Sequence, residues 1–443
     1  MNVACFDRRE RGLGVRFNLG DAAPSRRFFA NETSAPRPPE SFGLAGLLLA
    51  CAMVLLDGCV TPRSPAPRIA AAGLSPVQVE RATRNLRLFD TVWSTVAERY
   101  YDPRLHGVDW KAAAVTYGPQ ATAAADDTAL YGAINGLLGL LGDGHTGAFT
   151  PDQTRDFVAQ RRAMTGFRIL RVGDRWAVYE VLHGSPAESA GVKPGWIVRS
   201  RNGQPLGDHL QMPLLREGEV VRWEFFDGHD RPVALTLTAT RVSVARQEAR
   251  ALPGGFIYFR FDDFDWKQMR WLSRQLKAHR TAPGVVVDLR QNPGGTVLAL
   301  DFMVGEFFDR GFDYAESVDR GGGRHDLRAL TLGSAHYAGR IAVLVDRVTA
   351  SAAEIFAAAM QERRRGTVVG HPTAGYVLAA RMRTLPDGGM LEYSDCDLHM
   401  RDGRRLEGRG VTPDVVPPAF TLDDLRTGRD PDLDAAVRAL QQS

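Results

Sequence analysis

The stretch Ile341–Gly370 reads IAVLVDRVTASAAEIFAAAMQERRRGTVVG. An apolar strand is followed by an Ala-rich run at helical spacing, and Gly366–Gly370 (GTVVG) is a strand again. Apolar strands alternating with helices imply an α/β core with largely parallel strands, whose functional groups are expected at the strands' carboxyl ends. Ser351 lies just past such an end. With Glu354 it makes S-x-x-E, a capping box that opens a helix. A serine between a buried strand and a helix N-terminus also suits a nucleophile, because backbone N–H groups and the helix dipole there favour an oxyanion. The stretch by itself leaves both readings open.

The flanks repeat the pattern. Gly255–Phe261 (GFIYFRF) precedes an amphipathic helix around Trp266–Leu276, and Gly284–Arg290 (GVVVDLR) is a buried strand running into Gln291–Val297 (QNPGGTV). Gly428–Asp434 starts a terminal helix expected to pack on this core. Upstream, from about Thr165, the segments are short and β-like. Before them, Leu86, Phe89, Val92, Trp93 and Val96 mark one helix, and Leu130, Ile134, Leu137, Leu138 and Leu141 another. That helical region ends in Gly142–Gly147 (GDGHTG), where glycines present His145 at a turn.

The N-terminus reads as targeting rather than fold. Phe42–Leu56 is apolar throughout, short for a membrane span but suited to a signal-peptide core, and it ends in Leu56-Asp57-Gly58-Cys59. This resembles a bacterial lipoprotein cleavage box with Cys59 as the acylated residue, so the chain is expected on the periplasmic side of a bacterial membrane, lipid-anchored in the cell envelope. An uncleaved signal anchor is the rival reading. Cys5 and Cys51 precede the proposed cut, which leaves Cys396 alone and predicts no intramolecular disulfide in the mature chain. No Cys/His cluster has zinc spacing, and neither a metal nor a cofactor is expected. The net charge is +3 with no basic run interleaved with aromatics, so no nucleic-acid partner is expected.

The division that results is a leader over 1–58, a Pro/Ala linker over 59–75, an N-terminal helical domain over 76–150, a β-rich domain over 160–245 and an α/β domain over 246–443: a multidomain α+β chain. The β-rich segment carries His183–Gly195 (HGSPAESAGVKPG) and Asn202-Gly203-Gln204, and resembles a PDZ domain. The resemblance implies a groove that takes an extended peptide as an added strand, with Gly166, Phe167 and Ile169 in the carboxylate-binding segment.

Four motifs in order, over residues 80–440, resemble the carboxy-terminal processing (tail-specific) family of serine peptidases. They are the helical domain with its histidine turn, VVVDLRQNPGG, TASAAEIFAAAMQERRRGTVVG, and Leu406–Asp414 (LEGRGVTPD). The family implies a ClpP/crotonase-like core with Ser351 as nucleophile. Its best-known branch takes the base from a lysine in T-x-G-K. Here that stretch is Thr373-Ala-Gly-Tyr376, and no lysine follows Lys277. Arginine cannot replace it, because its guanidinium does not deprotonate near neutral pH.

The tricorn-like branch instead implies His145 as base and Glu407 as the supporting carboxylate. An imidazole with an ordinary pKa accepts the serine proton and returns it to the leaving amine, which puts the acid limb of activity at roughly pH 6–7. That branch has a serine before the histidine where this chain has Gly144. The backbone N–H groups of Ala352 and of Gly294 or Gly295 are the oxyanion candidates. No Walker pattern surrounds the glycines, which excludes a phosphate loop.

Taken singly, His145 also reads as a turn residue, Asp143 as a structural helix-end residue, and Glu407 as an ion-pair partner among arginines. The expected activity is a serine endopeptidase acting on exported proteins or peptides near their C-termini. Its rivals are an inactive peptide-binding homologue and a hydrolase of non-peptide esters or amides.

Overall fold

The computed structural model describes residues 63–69, 73–207, 215–244, 246–331 and 336–442. The leader and Cys59 lie outside the described residues. Helix α1 (Pro76–Arg99) opens on a capping box in which Ser75 and Gln78 exchange hydrogen bonds, with Pro76 at the first helical position. Helices α2 (Trp110–Ala123) and α3 (Asp127–Gly139) are each opened by an aspartate, Asp109 and Asp126, whose carboxylate accepts a first-turn N–H. Gly142, at φ 68°, turns the chain through His145 into β1 (Gly147–Phe149). The five apolar residues that mark α1 in the sequence are all buried. Their core is shared: Leu385, Leu391 and Tyr393 from far along the chain complete it. The division expected near residue 150 is therefore not a boundary of packing.

After α4 (Pro151–Val158) come β2 (Arg161–Met164), β3 (Phe167–Val172), β4 (Arg175–Val181), the one-turn α5 (Pro186–Ser189), β5 (Ile197–Arg201), β6 (Gln204–Pro205), β7 (Val220–Phe226), β8 (Pro232–Thr238) and β9 (Thr240–Ser243). An antiparallel sheet runs β3–β4–β5–β7–β8, with β6 beside β5 and β3 at one edge. Phe167, Val178, Val198, Val221, Trp223 and Phe225 fill its core. Strands β2 and β9 pair antiparallel, so the chain enters and leaves this body side by side.

The remainder holds β10 (Gln247–Ala251), β11 (Ile257–Phe261), α6 (Trp266–Ala278), β12 (Gly284–Asp288), α7 (Val297–Gly305), β13 (Asp313–Asp319), β14 (Arg324–Arg328), β15 (Arg340–Val345), α8 (Ala352–Glu362), β16 (Thr367–Gly370), β17 (Ala379–Thr384), β18 (Met390–Met400), α9 (Leu422–Thr427) and α10 (Pro431–Gln442). Strands β11, β12, β15 and β16 are parallel neighbours in that order, with β10 antiparallel at the edge. Both faces are covered. Val285 and Val287 join Leu272, Leu300 and Phe356 of α6, α7 and α8, whereas Val286, Ala342 and Leu344 meet Ala435, Ala436 and Leu440 of α10. Burial on two faces is why β12 reads as an unbroken apolar run.

A second, antiparallel sheet (β1–β18–β13–β14, with β17 on β18) is not visible in the sequence reading. Glu392, Asp395 and Asp397 interrupt β18, and its apolar residues serve two cores: Leu391 and Tyr393 that of α1–α3, Leu398 and Met400 that of the parallel sheet. Cys396 is fully buried and disulfide-bonded; the chain's other three cysteines lie outside the described residues, and the expectation of a lone thiol concerns the chain after the proposed cut. Among the described residues no helix is long and apolar enough to cross a membrane, and no His/Cys/Asp/Glu group is arranged to hold a metal ion.

Candidate active site

Strands β12 and β15 are parallel neighbours, so the turns that follow them open on the same edge of the sheet. Asn292, fully buried, organises the first turn. Its amide donates to Phe261 O (2.8 Å), its Oδ1 accepts Gly294 N–H (2.8 Å), and its carbonyl accepts Ala350 N–H (3.0 Å). The glycine turn is thereby fastened to the residue before Ser351. A Cβ on Gly294 would stand 2.7 Å from Ser351 Cβ and 2.8 Å from Ala352 N, so only glycine fits at this φ of 102°. Because Asn292 takes the Gly294 N–H, the uncommitted donors among the described residues are those of Gly295 and Ala352. Gly294→Ala is expected to abolish turnover and cost about 2–3 kcal/mol of stability. Thermal melts with an activity assay check this, and wild-type turnover would contradict it.

Ser351 is fully buried and holds φ 55°, ψ −125°, a backbone region that non-glycine residues occupy only under constraint. Ser351 and Glu354 do occupy the capping-box positions at the start of α8. The hydroxyl nevertheless does no capping: Glu354 N–H goes to the Ser351 carbonyl (2.9 Å), and Ser351 Oγ has no hydrogen-bond partner.

Glu354 has a larger role than the sequence suggests. Its buried carboxylate accepts from Ser351 N–H (3.1 Å), Thr373 Oγ1–H (2.5 Å), Gly375 N–H (2.8 Å) and Tyr376 N–H (3.0 Å). Burial raises its pKa, and these four donors hold it down. In return, the Tyr376 carbonyl accepts the Ser351 N–H at 2.7 Å. Glu407 meets the same segment from the other side, accepting Val377 N–H (2.7 Å) and Leu378 N–H (3.2 Å), and burial raises its pKa too.

The turn bearing His145 closes on this segment. A Cβ on Gly144 would lie 2.5 Å from Cγ of Tyr376, so the tyrosine ring fills the space where residue 144 would carry a side chain. His145 is buried, and its Nδ1 has no hydrogen-bond partner. Burial lowers its pKa to about 4, against the pull of the Asp143 carboxylate. Ser351, Glu407 and the turn that bears His145 thus each meet residues 375–378, although among the described residues no hydrogen bond joins Glu407 to His145. Three further groups escaped the sequence reading: Asn292, the full reach of Glu354, and Glu392. The last lies opposite Gly147 in the β1–β18 pairing, with a buried carboxylate oxygen unpartnered and its pKa raised by burial to about 7. Local pattern marks Glu354 only as a capping-box residue and Asn292 only as part of the glycine turn; their wider roles depend on partners distant in sequence, such as Phe261, Thr373 and Tyr376.

Residues 256–416 match the model of peptidase family S41, and residues 84–139 match that of the tricorn protease C1 domain. A probable CtpA-like serine protease of Staphylococcus epidermidis is 23% identical over 342 residues, covering 75% of this chain and 65% of that relative. One from Staphylococcus aureus is 25% identical over 298 residues, covering 64% and 59%. The chain therefore spans less than two thirds of the length of these curated relatives. In fold it is similar to the photosystem II D1 C-terminal processing protease, with a TM-score of 0.53 at 22% identity over 83% of this chain and 98% of that one. It is also similar to mature CPAF complexed with lactacystin, with a TM-score of 0.59 at 12% identity over 82% and 98%. The glycine turn and the serine at the start of α8 both lie within the stretch that matches peptidase family S41, and the matched models and relatives support one reading: a serine-type peptidase similar to the carboxy-terminal processing family.

Proposed function

We propose that this protein is a serine endopeptidase of the cell envelope that cuts exported polypeptides near their C-termini. Ser351 is the nucleophile and His145 the general base. The N–H groups of Ala352 and Gly295 receive the oxyanion, whereas Glu407, which the tricorn-like resemblance offers as the supporting carboxylate, holds the N–H groups of Val377 and Leu378. The reaction needs no cofactor. Ser351 Oγ attacks the scissile carbonyl while His145 takes its proton; the protonated imidazole then gives it to the leaving amine, and water reverses the sequence to release the acid.

The observation that carries this reading is the Ser351 turn. An unpartnered hydroxyl sits at a strained backbone position beside two uncommitted N–H donors. A mere helix cap has no need of that strain. The open edge of β3 suits a PDZ-like domain that adds a peptide as a strand, with the carboxylate received near Gly166, Phe167 and Ile169. Gly166 is required there, since a Cβ at its φ of 96° would lie 2.0 Å from Ser185 Cβ. Anchoring through Cys59 rests on the sequence pattern alone, and Cys59→Ser should move the protein from the membrane to the soluble fraction.

The test is covalent labelling of the full chain by a fluorophosphonate, together with cleavage of a peptide bearing a free C-terminal carboxylate and of its amide. Labelling lost in Ser351→Ala, with faster cleavage of the acid, is the expected result. No labelling would leave an inactive peptide binder. Labelling without peptide cleavage would favour a hydrolase of other esters or amides, and equal cleavage of acid and amide would remove the tail-recognition element.

A further inference from the structure

Gly144 leaves His145 without the neighbouring hydroxyl through which a carboxylate at 407 would reach it, and the Tyr376 ring occupies the space such a hydroxyl would need. Glu407 is spent on the backbone of Val377 and Leu378. The His145 turn is instead built around Asp143. Asp143 Oδ1 accepts His145 N–H (2.8 Å) and Ser394 Oγ–H (3.3 Å), and Oδ2 accepts Tyr100 O–H (2.5 Å) and Thr146 Oγ1–H (3.0 Å). Donors from α1, from β18 and from the turn itself thus converge on one carboxylate. The turn is held from behind as well, where Leu141 O receives His106 Nδ1 at 2.6 Å.

We propose that Asp143 and the ring of Tyr376 together position His145 in this chain, in place of a hydroxyl bridge to Glu407, and that Glu407 serves to fix the Tyr376–Leu378 segment. This rests on the reading of Ser351 and His145 as nucleophile and base. Asp143 is a positioning residue. Its backbone contact fixes the turn, and its charge favours the imidazolium that forms when His145 takes the Ser351 proton. The other groups facing the site are Tyr100 and Tyr101 of the α1 end, Ser394 and Glu392 of β18, and Arg405 and Glu407 of the following loop. Of the carboxylates, Asp143 is the one bonded directly to the histidine's own residue. The inference also accounts for a pair of departures at once: a tyrosine where the lysine branch has its base, and a glycine where the tricorn-like branch has a serine.

The test is the second-order rate constant for fluorophosphonate labelling of Ser351, measured in the full chain from pH 3.5 to 9. Asp143→Asn keeps the shape and removes the charge. It should slow labelling at least about 100-fold and shift the acid limb to lower pH, because the imidazolium loses its nearest anion. Glu407→Gln should stay within about tenfold of wild type with its acid limb unmoved, since an amide oxygen still accepts the two N–H groups. Tyr376→Phe should behave as wild type, as the ring and not the hydroxyl is used. Gly144→Ala should lose labelling because its methyl would collide with the ring, and Tyr376→Ala should lose most of it because the ring that positions His145 is gone.

An acid limb displaced by Glu407→Gln but not by Asp143→Asn would overturn the assignment. So would Gly144→Ala labelling at the wild-type rate. Should Asp143→Asn not fold, the Glu407 and Gly144/Tyr376 arms decide the matter alone. A wild-type chain that does not label at Ser351 at all would refute the underlying peptidase reading, a separate outcome.

Discussion

Ser351→Ala and His145→Ala are each expected to abolish peptide hydrolysis, by at least about 10⁴-fold, and the double variant should be hardly worse than either single one. Residues acting as one unit are strongly non-additive, whereas two independent structural losses would multiply. If Ser351 were only a cap, its replacement would cost about 1 kcal/mol of stability and leave turnover intact. The pH profile adds a second check.

Burial lowers the His145 pKa to about 4, so the imidazole stays unprotonated well below its ordinary value. The acid limb of kcat/KM, which reports the free enzyme, is therefore expected close to pH 4 rather than at roughly pH 6–7 as the residue type alone suggests. The sign follows from the depressed value: protonation removes the base only when pH falls through the folded pKa. The same shift makes folding weaker as pH drops from about 6.5 toward 4, because the unfolded chain then binds the proton first. An acid limb at 6–7 would show that the site solvates His145 in solution.

Glu354→Ala is expected to cost about 3–5 kcal/mol and to remove activity with it. Its carboxylate accepts four hydrogen bonds, from Ser351, Thr373, Gly375 and Tyr376, and three of those donors belong to the segment that carries Tyr376. Removing it leaves buried N–H groups unpaired and frees the segment on which Gly144 and Glu407 also rest. Urea unfolding gives the magnitude. A loss near 1 kcal/mol would mean that Glu354 is the ordinary capping-box residue its spacing suggests.

Local pattern was enough for every element whose burial is one- or two-sided in a simple way. The apolar residues of α1, the continuous run of β12 and the alternation of strands and helices from β11 to β16 all stand where periodicity places them. The candidates Ser351, His145 and Glu407 come from motif spacing and the shortage of lysine, which are properties of the chain itself. The sheet around β18 was not, since its apolar residues divide between two cores and carboxylates interrupt the run. Nor could the sequence foresee what Ser351 does with its backbone. A serine before x-x-Glu caps a helix unless tertiary contacts hold it at φ 55°, and those contacts come from Tyr376 and from the glycine turn after β12. The pKa of His145 was likewise beyond sequence, because desolvation depends on what the fold packs around the ring. Residue type and order along the chain therefore determined which groups are available for chemistry. Only the three-dimensional packing decided which donors gather on Asp143 beside the histidine, because Tyr100 and Ser394 reach it from 43 and 251 residues away.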